Sequence, residues 1–505
     1  MRMNILVGGK AGQGPNVLAH VLAEALIKKG FYVFYSRDYQ SVIRGGHNFN
    51  VLTFSSQPVY SNDSKIDIII ALDEETLNIH RNSLHDKAII VKGAGDSAGN
   101  MFFAGKIFKI LGIEFSVLEE ELKKLGKKVE ENLREASKGY HSMGKIFDLE
   151  DKSSLHNKVI LKNGNKGVAD GAIKSGLDVY YAYPMTPATS LMEELASKQV
   201  ENNHIVIEME NEIAVANAGV GSAITGAKTM VGTSGGGFDL MTEALSLAGI
   251  AEVPLVFFLS QRPGPATGVA TYTAQGDLNM ARHAGHGEFP RVIVAPGDPV
   301  EAEELTSEMF YFSQKFQVPS IILSDKHLGE SFYTLSDMPK ITQSGKWTSL
   351  RRYNSYEKDI IGSATEDPLI IKKNVEDRIR KTIAITEEAK KFQGYKIHGN
   401  KNSDNVIISW GSPKGVILDV LNHKEINAKF VQILYIEPFP KEQLWKEILG
   451  KNIILIENNS SAQMNCLLRE KIGFNVPPKN IILRYDGRPF LKDELEKEIK
   501  MRVRR

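Results

Sequence analysis

The sequence of 505 residues contains a single cysteine, Cys466. One thiol cannot form a disulfide framework, a four-thiolate iron–sulfur cluster or a cysteine zinc site within the chain. Apolar runs are also short. Even the segment AGIAEVPLVFFLS is interrupted by Glu252 and Pro254, whereas crossing a bilayer takes roughly 20 apolar residues. The first residues lack the apolar core of a signal peptide. We therefore expect a protein of a reducing, cytoplasmic compartment.

The chain also has no large excess of positive or negative charge. The 62 basic and 61 acidic residues leave a net charge of +1, so we expect neither a nucleic-acid partner nor an anionic membrane partner. The hydrophobic content of 42% and charged content of 24% are typical of a globular protein. The length exceeds one ordinary hydrophobic core, which predicts two to four domains.

The N-terminal third begins with a strand, a glycine-rich turn (GGKAGQG) and a helix that starts at Pro15. Gly12 and Gly14 belong to this turn, but the glycine spacing matches neither the dinucleotide-binding nor the P-loop pattern. The turn either offers backbone N–H groups to an anion or serves close packing alone. Further buried-type strands and amphipathic helices predict a complete α/β domain over residues 1–155.

Residues 160–330 predict a second α/β domain in which polar residues follow the strands. One strand ends at Tyr183, and Pro184 and Pro187 stiffen the turn that holds Thr186. Glu212 opens the helix after the next strand, where it could simply complement the helix dipole. A glycine triplet follows the third strand. Arg262 follows the fourth, so all these residues are expected at the carboxyl edge where α/β sheets bind ligands.

A histidine-rich turn in the same domain has a spacing that resembles a metal site. His283, His286 and Glu288 are separated by Gly285 and Gly287. Because these glycines disfavour the helix that would align both imidazoles, we expect no metal there. A turn that faces the ligand crevice is the preferred interpretation.

The remaining sequence predicts a polar linker over residues 331–404 and a third α/β domain over 405–505. The linker includes a charged helix from Asn374 to Phe392. In the third domain, Lys414 follows a strand and is expected either to meet a phosphate or, preferably, to lie in solvent. Cys466 is expected to be a small core residue.

Several blocks occur in an order that is characteristic of one family. They are YPMTPAT, MENEIAVANAGVGSAITGAKTM, TSGGGFDLMTEAL, PLVFFLSQRPGPATG and GHGEFPRVIVAPG, preceded by GGKAGQG and YQSVIRGGHNF. In these blocks the chain resembles the 2-oxoacid:ferredoxin oxidoreductases, in the arrangement where a γ-type domain is fused in front of the α subunit. The resemblance implies three α/β domains: the γ-type domain, a thiamine-diphosphate pyrimidine-binding domain and a transketolase C-terminal-like domain.

The resemblance also implies an activity and roles for individual residues. A 2-oxoacid, such as pyruvate or 2-oxoglutarate, is decarboxylated on thiamine diphosphate, electrons pass to ferredoxin and the acyl group passes to coenzyme A. Glu212 would hydrogen-bond the aminopyrimidine, Arg262 would bind the substrate carboxylate and Thr186 would contact the substrate. The resemblance further implies that Tyr183 and Pro184 contact the cofactor. In the γ-type domain it implies that Gly12, Gly14 and Arg44 bind a cofactor, with coenzyme A as the possible ligand.

The departures from the family pattern concern the rest of the catalytic apparatus. The sequence lacks the Gly-Asp-Gly motif that holds Mg²⁺ and the diphosphate, and it lacks cysteines for a cluster. The resemblance assigns both the Mg²⁺ and the iron–sulfur cluster to a separate β subunit, so the chain is expected to act only in a heteromer. Two alternatives remain open at this stage: a decarboxylase that does not use coenzyme A, and a scaffold subunit without catalysis.

Overall fold

The computed structural model describes residues 1–40, 46–93, 99–149, 159–347, 352–422 and 425–503. The chain forms two compact units. The first contains residues 1–162, 331–337 and 491–497, and the second contains residues 163–330, 338–490 and 498–505. The predicted multi-domain α/β class is confirmed. The predicted boundary at residue 155 lies outside the described residues, and one unit holds both of the segments expected to form the second and third domains.

The strands in chain order are β1 (Arg2–Lys10), β2 (Tyr32–Tyr39), β3 (His47–Ser55), β4 (Ile66–Ala71), β5 (Leu84–Lys92), β6 (Ile160–Asn163), β7 (Val179–Ala182), β8 (Ile205–Glu208), β9 (Thr229–Thr233), β10 (Leu255–Gln261), β11 (Val292–Val294), β12 (Ser320–Asp325), β13 (Phe332–Leu335), β14 (Tyr395–Gly399), β15 (Asn405–Trp410), β16 (Lys429–Ile433), β17 (Tyr435–Glu437), β18 (Asn452–Glu457) and β19 (Ile481–Leu483).

The α-helices are α1 (Pro15–Lys28), α2 (Glu74–His80), α3 (Asn100–Leu111), α4 (Phe115–Lys124), α5 (Val129–His141), α6 (Gly164–Lys174), α7 (Thr189–Asn202), α8 (Glu212–Ile224), α9 (Gly235–Ile250), α10 (Leu278–His283), α11 (Pro299–Phe316), α12 (Lys326–Glu330), α13 (Pro368–Ala389), α14 (Pro413–Leu421), α15 (Lys441–Ile448), α16 (Gln463–Ile472) and α17 (Lys492–Lys500). Within the described ranges, no helix is both long and apolar enough to span a membrane.

The first unit is built on a mixed sheet with the strand order β5-β4-β1-β3-β2-β13-β6. The glycine-rich turn links β1 to α1, as the sequence predicts. Gly12 and Gly14 have φ values of 92° and 79°, a left-handed conformation that favours glycine. Pro15 occupies the first helical turn, where its missing N–H leaves no partner unsatisfied.

The second unit contains the sheet that positions the candidate site. Its strand order is β17-β11-β12-β10-β9-β7-β8. All neighbouring strands in this order pair in parallel except β17, which is antiparallel to β11. Ala182 of β7 lies opposite Glu208 of β8 and Gly232 of β9, while Leu259 of β10 lies opposite Thr233. The carboxyl ends of these four neighbouring strands are therefore aligned at one edge, as the sequence predicts.

A second sheet of this unit has the order β14-β16-β15-β18-β19. Its edge strand β14 pairs antiparallel with β16 and comes from residues 331–404, the segment predicted as a linker. The same segment supplies β13 to the sheet of the first unit and the charged helix α13. The structure has the charged helix, predicted from Asn374 to Phe392, at Pro368–Ala389, whereas neither strand was predicted in this polar segment.

The predictions for Lys414 and Cys466 need correction. Lys414 is 6% exposed, and its Nζ atom forms ion pairs with Asp298 and, at 2.6 Å, with Glu301. It therefore neither lies in solvent nor presents a free charge to a phosphate. Burial alone would raise the pKa of Glu301, but Lys414 and Lys396 lower this pKa to about 2. Cys466 is half-buried on α16 rather than enclosed in the core.

Candidate active site

The turn after β7 is fixed by contacts from α6. Tyr183 and Pro184 are exposed, Thr186 is half-buried, and the Thr186–Pro187 peptide bond is cis. The Nδ2 atom of Asn165 donates a hydrogen bond to the backbone oxygen of Pro187 at 3.0 Å. This hydrogen bond ties the turn to the first turn of α6, so Thr186 is held on a rigid segment.

Glu212 is a buried carboxylate with an unused oxygen. It is the first residue of α8, and Asn211 caps this helix by accepting a hydrogen bond from the N–H of Ala214 at 2.9 Å. Glu212 is only 3% exposed, and its Oε1 atom has no hydrogen-bond partner among the described residues. Leaving a buried polar atom unpaired costs about 1–3 kcal/mol. The arrangement is therefore suited to a ligand that donates a hydrogen bond.

The glycine triplet forms the first turn of α9 and makes room for two carboxylates. A Cβ atom on Gly237 would lie 2.5 Å from Oε1 of Glu212 and 2.1 Å from Oγ1 of Thr233. A Cβ atom on Gly235 would lie 2.8 Å from Oδ2 of Asp277. Both acidic side chains thus pack against the N-terminus of α9, where the helix dipole favours negative charge.

We expect the substitution Gly237→Ala to lower the melting temperature of the chain by several degrees, which corresponds to about 1–3 kcal/mol of overpacking. The added methyl group would overlap Glu212 and Thr233. Gly221→Ala on α8 is the matched control, since a Cβ atom there meets nothing within 4 Å. Alanine should be neutral or stabilising at that helical position. Thermal melts followed by circular dichroism measure both, and equal melting temperatures for the two variants would contradict the packing argument.

Arg262 lies directly after β10 and contacts the proline-rich turn. Its Nη1 atom donates a hydrogen bond to the backbone oxygen of Thr186 at 2.7 Å. Arg262 is 9% exposed, and within the described ranges its Nε–H has no acceptor. Burial lowers the pKa of Arg262, while Glu212 and Asp277 act in the opposite direction. The guanidinium group is thus oriented by the protein and keeps one donor for a ligand.

Asp277 belongs to the same site and escaped the sequence-based prediction. Burial, aided by Asp239, raises the pKa of Asp277 to about 6, and Arg262 opposes this shift. The backbone N–H of Asp277 donates to Oε1 of Gln261 at 3.0 Å. In the sequence, Asp277 is an ordinary candidate for the cap of α10. Its side chain makes no such cap, and Oδ2 finds no partner in the described part of the chain.

The structure brings Thr186, Glu212 and Arg262 together at the aligned strand ends, with Tyr183 and Pro184 on the same turn as Thr186. Of the other candidates, Gly12 and Gly14 belong to the first unit, and Arg44 lies outside the described residues.

His283 is the last residue of α10, and His286 and Glu288 lie in the turn that follows; all three side chains are exposed. Within the described ranges, no group of three or more His, Cys, Asp or Glu side chains is arranged to hold a metal ion.

Known proteins match the chain over its whole length. Residues 170–391 match the thiamine-diphosphate-binding family described as pyruvate flavodoxin/ferredoxin oxidoreductase, and residues 4–97 match the family described as pyruvate ferredoxin/flavodoxin oxidoreductase. The α subunit of a 2-oxoacid:ferredoxin oxidoreductase from a Sulfolobus species is 30% identical, in an alignment that covers 99% of this chain and 96% of that protein. The chain belongs to the 2-oxoacid:ferredoxin oxidoreductase family. The resemblance found in the sequence is thereby confirmed.

Other members of the family agree with this assignment. The KorA subunit of 2-oxoglutarate synthase from Methanocaldococcus jannaschii is 28% identical over 60% of this chain and 89% of that protein. The solved 2-oxoglutarate:ferredoxin oxidoreductase from Magnetococcus marinus has 2-oxoglutarate, coenzyme A and succinyl-CoA bound. It superimposes with a TM-score of 0.90 at 23% identity and covers 100% of both chains, so it shares the fold.

Proposed function

We propose that this chain is the fused γ–α chain of a complex that converts a 2-oxoacid and coenzyme A to an acyl-CoA and reduces ferredoxin. Thiamine diphosphate would bind in a site shared with a separate β subunit. The observation that carries the proposal is the unpaired, buried Oε1 atom of Glu212 at the strand edge that also holds Arg262 and Thr186. This oxygen fits a cofactor ring that presents an N–H donor.

The residues of this chain fit the aminopyrimidine half of thiamine diphosphate. Glu212 would accept a hydrogen bond from the ring, and Gly237 leaves no side chain between the carboxylate and the first turn of α9. Tyr183 and Pro184, at the exposed start of the turn, are proposed to border the bound ring. When bound, thiamine diphosphate supplies the electron sink that decarboxylation of a 2-oxoacid requires.

Arg262 and Thr186 are proposed to receive the substrate. A guanidinium group is well suited to a carboxylate because its donors lie in one plane. The hydrogen bond from Nη1 to the backbone oxygen of Thr186 fixes that plane, and the free Nε–H remains available. The hydroxyl group of Thr186, on the same turn, would hydrogen-bond the bound acid. Arg262 recognises only the carboxylate shared by all 2-oxoacids, so pyruvate, 2-oxoglutarate and larger acids are all candidate substrates.

A separate β subunit is proposed to complete the site and to carry Mg²⁺ and the iron–sulfur cluster. The single cysteine of this chain excludes a cluster bound by its own thiolates. The segments that form the site also expose apolar side chains: Tyr183, Ile213, Leu240 and Val269 are 39–50% exposed. Exposed apolar side chains around a polar site favour coverage by another protein surface.

The first unit is proposed to be the γ-type domain and to contribute to coenzyme A binding. Its glycine-rich turn precedes α1, and Gly12 and Gly14 adopt the left-handed conformation there; backbone N–H groups of such a turn are proposed to bind an anion such as a phosphate. Arg44 is proposed to take part as well. We assign residues 1–155 to this domain, 160–330 to the pyrimidine-binding domain, 331–404 to the connecting segment and 405–505 to the transketolase C-terminal-like domain.

Reconstitution tests the proposal. We expect the chain, co-expressed with its β subunit and loaded with thiamine diphosphate and Mg²⁺, to reduce ferredoxin or methyl viologen with at least one 2-oxoacid, and only when coenzyme A is present. Release of carbon dioxide without coenzyme A would instead establish a coenzyme A-independent decarboxylase. A loaded complex that turns over no member of a 2-oxoacid panel would contradict the proposal and leave the scaffold alternative.

A further inference from the structure

The loop that begins at Arg262 has an exposed first half and is fastened to the protein in its second half. Residues 264–269 are exposed and lie outside any helix or strand, whereas Gln275 is fully buried. Where the loop closes, Oε1 of Gln261 accepts a hydrogen bond from the N–H of Asp277 at 3.0 Å. Because Gln261 directly precedes Arg262, this hydrogen bond couples the arginine to the far end of the loop.

Gln275 fastens that far end to the second sheet of the same unit, β14-β16-β15-β18-β19. Its Nε2 atom donates to the backbone oxygen of Trp410, the last residue of β15, at 2.7 Å. Its Oε1 atom accepts from the N–H of Asn458, directly after β18, at 2.9 Å. Because β15 and β18 are parallel neighbours, the side chain bridges the carboxyl ends of two strands.

The backbone of Gln275 binds the same place. Its N–H donates to the backbone oxygen of Asn458 at 2.7 Å, and its oxygen accepts from Nδ2 of Asn459 at 3.1 Å. Gly411 makes room for the amide: its φ is 64°, and a Cβ atom there would lie 2.7 Å from Nε2 of Gln275. Both backbone groups and both amide atoms of Gln275 are therefore used, and an apolar side chain at this position cannot make the two amide hydrogen bonds.

We propose that Gln275 is a positioning residue for Arg262, which it holds in place by fastening the loop to the ends of β15 and β18. The second sheet thereby contributes to the affinity for the 2-oxoacid through the loop. A fixed orientation matters for a guanidinium group, because its donors meet a carboxylate in one plane. This inference rests on the proposed function and on the role of Arg262 within it.

The test uses the reconstituted complex and a 2-oxoacid that it turns over. Gln275→Met keeps the length of the side chain and removes both amide hydrogen bonds. We expect KM for the acid to rise about tenfold, within the range that a small misplacement of a positioned group can cause. The kcat value and KM for coenzyme A should change little. Gln393→Met, at an exposed glutamine before β14, is the matched control and should behave as the wild type.

A double-mutant cycle separates positioning from a general structural role. If Gln275 acts through Arg262, Gln275→Met should change KM for the acid by less than about twofold in an Arg262→Met background, because the group that it positions is gone. Independent residues would instead give the same tenfold rise in both backgrounds.

Hydrogen–deuterium exchange gives a readout that does not depend on turnover. We expect the peptide that covers residues 262–277 to exchange faster in the Gln275→Met complex than in the wild type and in Gln393→Met, because the loop opens more often once it is unfastened. Unchanged exchange of this peptide would contradict the inference.

A second variant decides the matter if Gln275→Met does not fold. Gln463, the first residue of α16, donates from Nε2 to the backbone oxygen of Gly276 at 2.7 Å. Its Oε1 atom accepts from the N–H of Asn279 at 3.0 Å. Gln463→Met therefore loosens the same end of the loop, and it should also raise KM for the acid, again only while Arg262 is present.

The outcomes separate this inference from the proposed function. An unchanged KM for the acid in folded Gln275→Met, an equal rise in KM for coenzyme A, or a tenfold rise that persists in the Arg262→Met background would refute the inference and leave the proposed function intact. A wild-type complex that turns over no 2-oxoacid would overturn the proposed function and this inference together, and an unchanged KM in Arg262→Met alone would remove the role of Arg262 on which the inference depends.

Discussion

Replacing Glu212 by glutamine in the assembled complex is expected to reduce kcat by about 10²- to 10⁴-fold, the usual contribution of a well-placed proton-transfer group. Glutamine has nearly the same shape, so the packing against Gly237 and Thr233 should be retained. It lacks the charge and the basic oxygen of the carboxylate. Because Glu212 is 3% exposed, water cannot substitute for the lost group.

The control for this prediction is Glu210→Gln, two positions earlier and exposed. Stopped-flow or steady-state reduction of methyl viologen measures both variants, and their melting temperatures verify that folding is intact. We expect Glu210→Gln to retain wild-type kcat. Wild-type activity in Glu212→Gln would remove Glu212 from the catalytic apparatus.

Replacing Arg262 by methionine is expected to raise KM for the 2-oxoacid by about 10²-fold or more, since hydrogen bonds to charged groups contribute about 1.5–3 kcal/mol each. All guanidinium donors are lost, among them the Nη1 group that binds the backbone oxygen of Thr186 and the Nε–H that has no acceptor within the described residues. KM for coenzyme A should stay unchanged. This difference separates the loss of a substrate contact from a general loss of structure.

Two further variants sharpen the result for Arg262. Arg262→Lys keeps the charge but offers a single ammonium group, which cannot bind Thr186 and a carboxylate in one plane, so we expect an intermediate KM. Arg380→Met on the exposed face of α13 removes a guanidinium group that pairs with Asp377, and it should behave as the wild type. An unchanged KM for the acid in Arg262→Met would contradict the assignment.

The sequence predicted which edge of the sheet holds the candidate residues, because each of them follows an apolar strand within a few residues. Thr186 and Glu212 lie four residues beyond β7 and β8, Arg262 lies directly beyond β10, and parallel strands place such positions at one edge. The glycine triplet was recognised as a strand-end turn. The triplet is needed because Glu212 closely approaches Gly237, and this distance is known only from the folded chain.

Contacts between residues that are far apart along the chain could not be predicted from the sequence. Asp277 lies sixteen residues after Gln261, and only the folded loop returns it to the site. The burial of Lys414 depends on Asp298 and Glu301, more than a hundred positions earlier. A lysine in a turn is normally predicted to be exposed, and the sequence does not reveal the carboxylates that pair with it. Strand β14 was missed for a related reason, because its partner β16 lies beyond the polar segment.

Binding of thiamine diphosphate to the chain alone, to the β subunit alone and to the assembled complex is the most direct test of the claim that the site is shared between two chains. Isothermal titration with Mg²⁺ present measures all three. We predict tight, saturable binding only in the complex, weakened in its Glu212→Gln form. Binding to this chain alone as tight as to the complex would contradict the account.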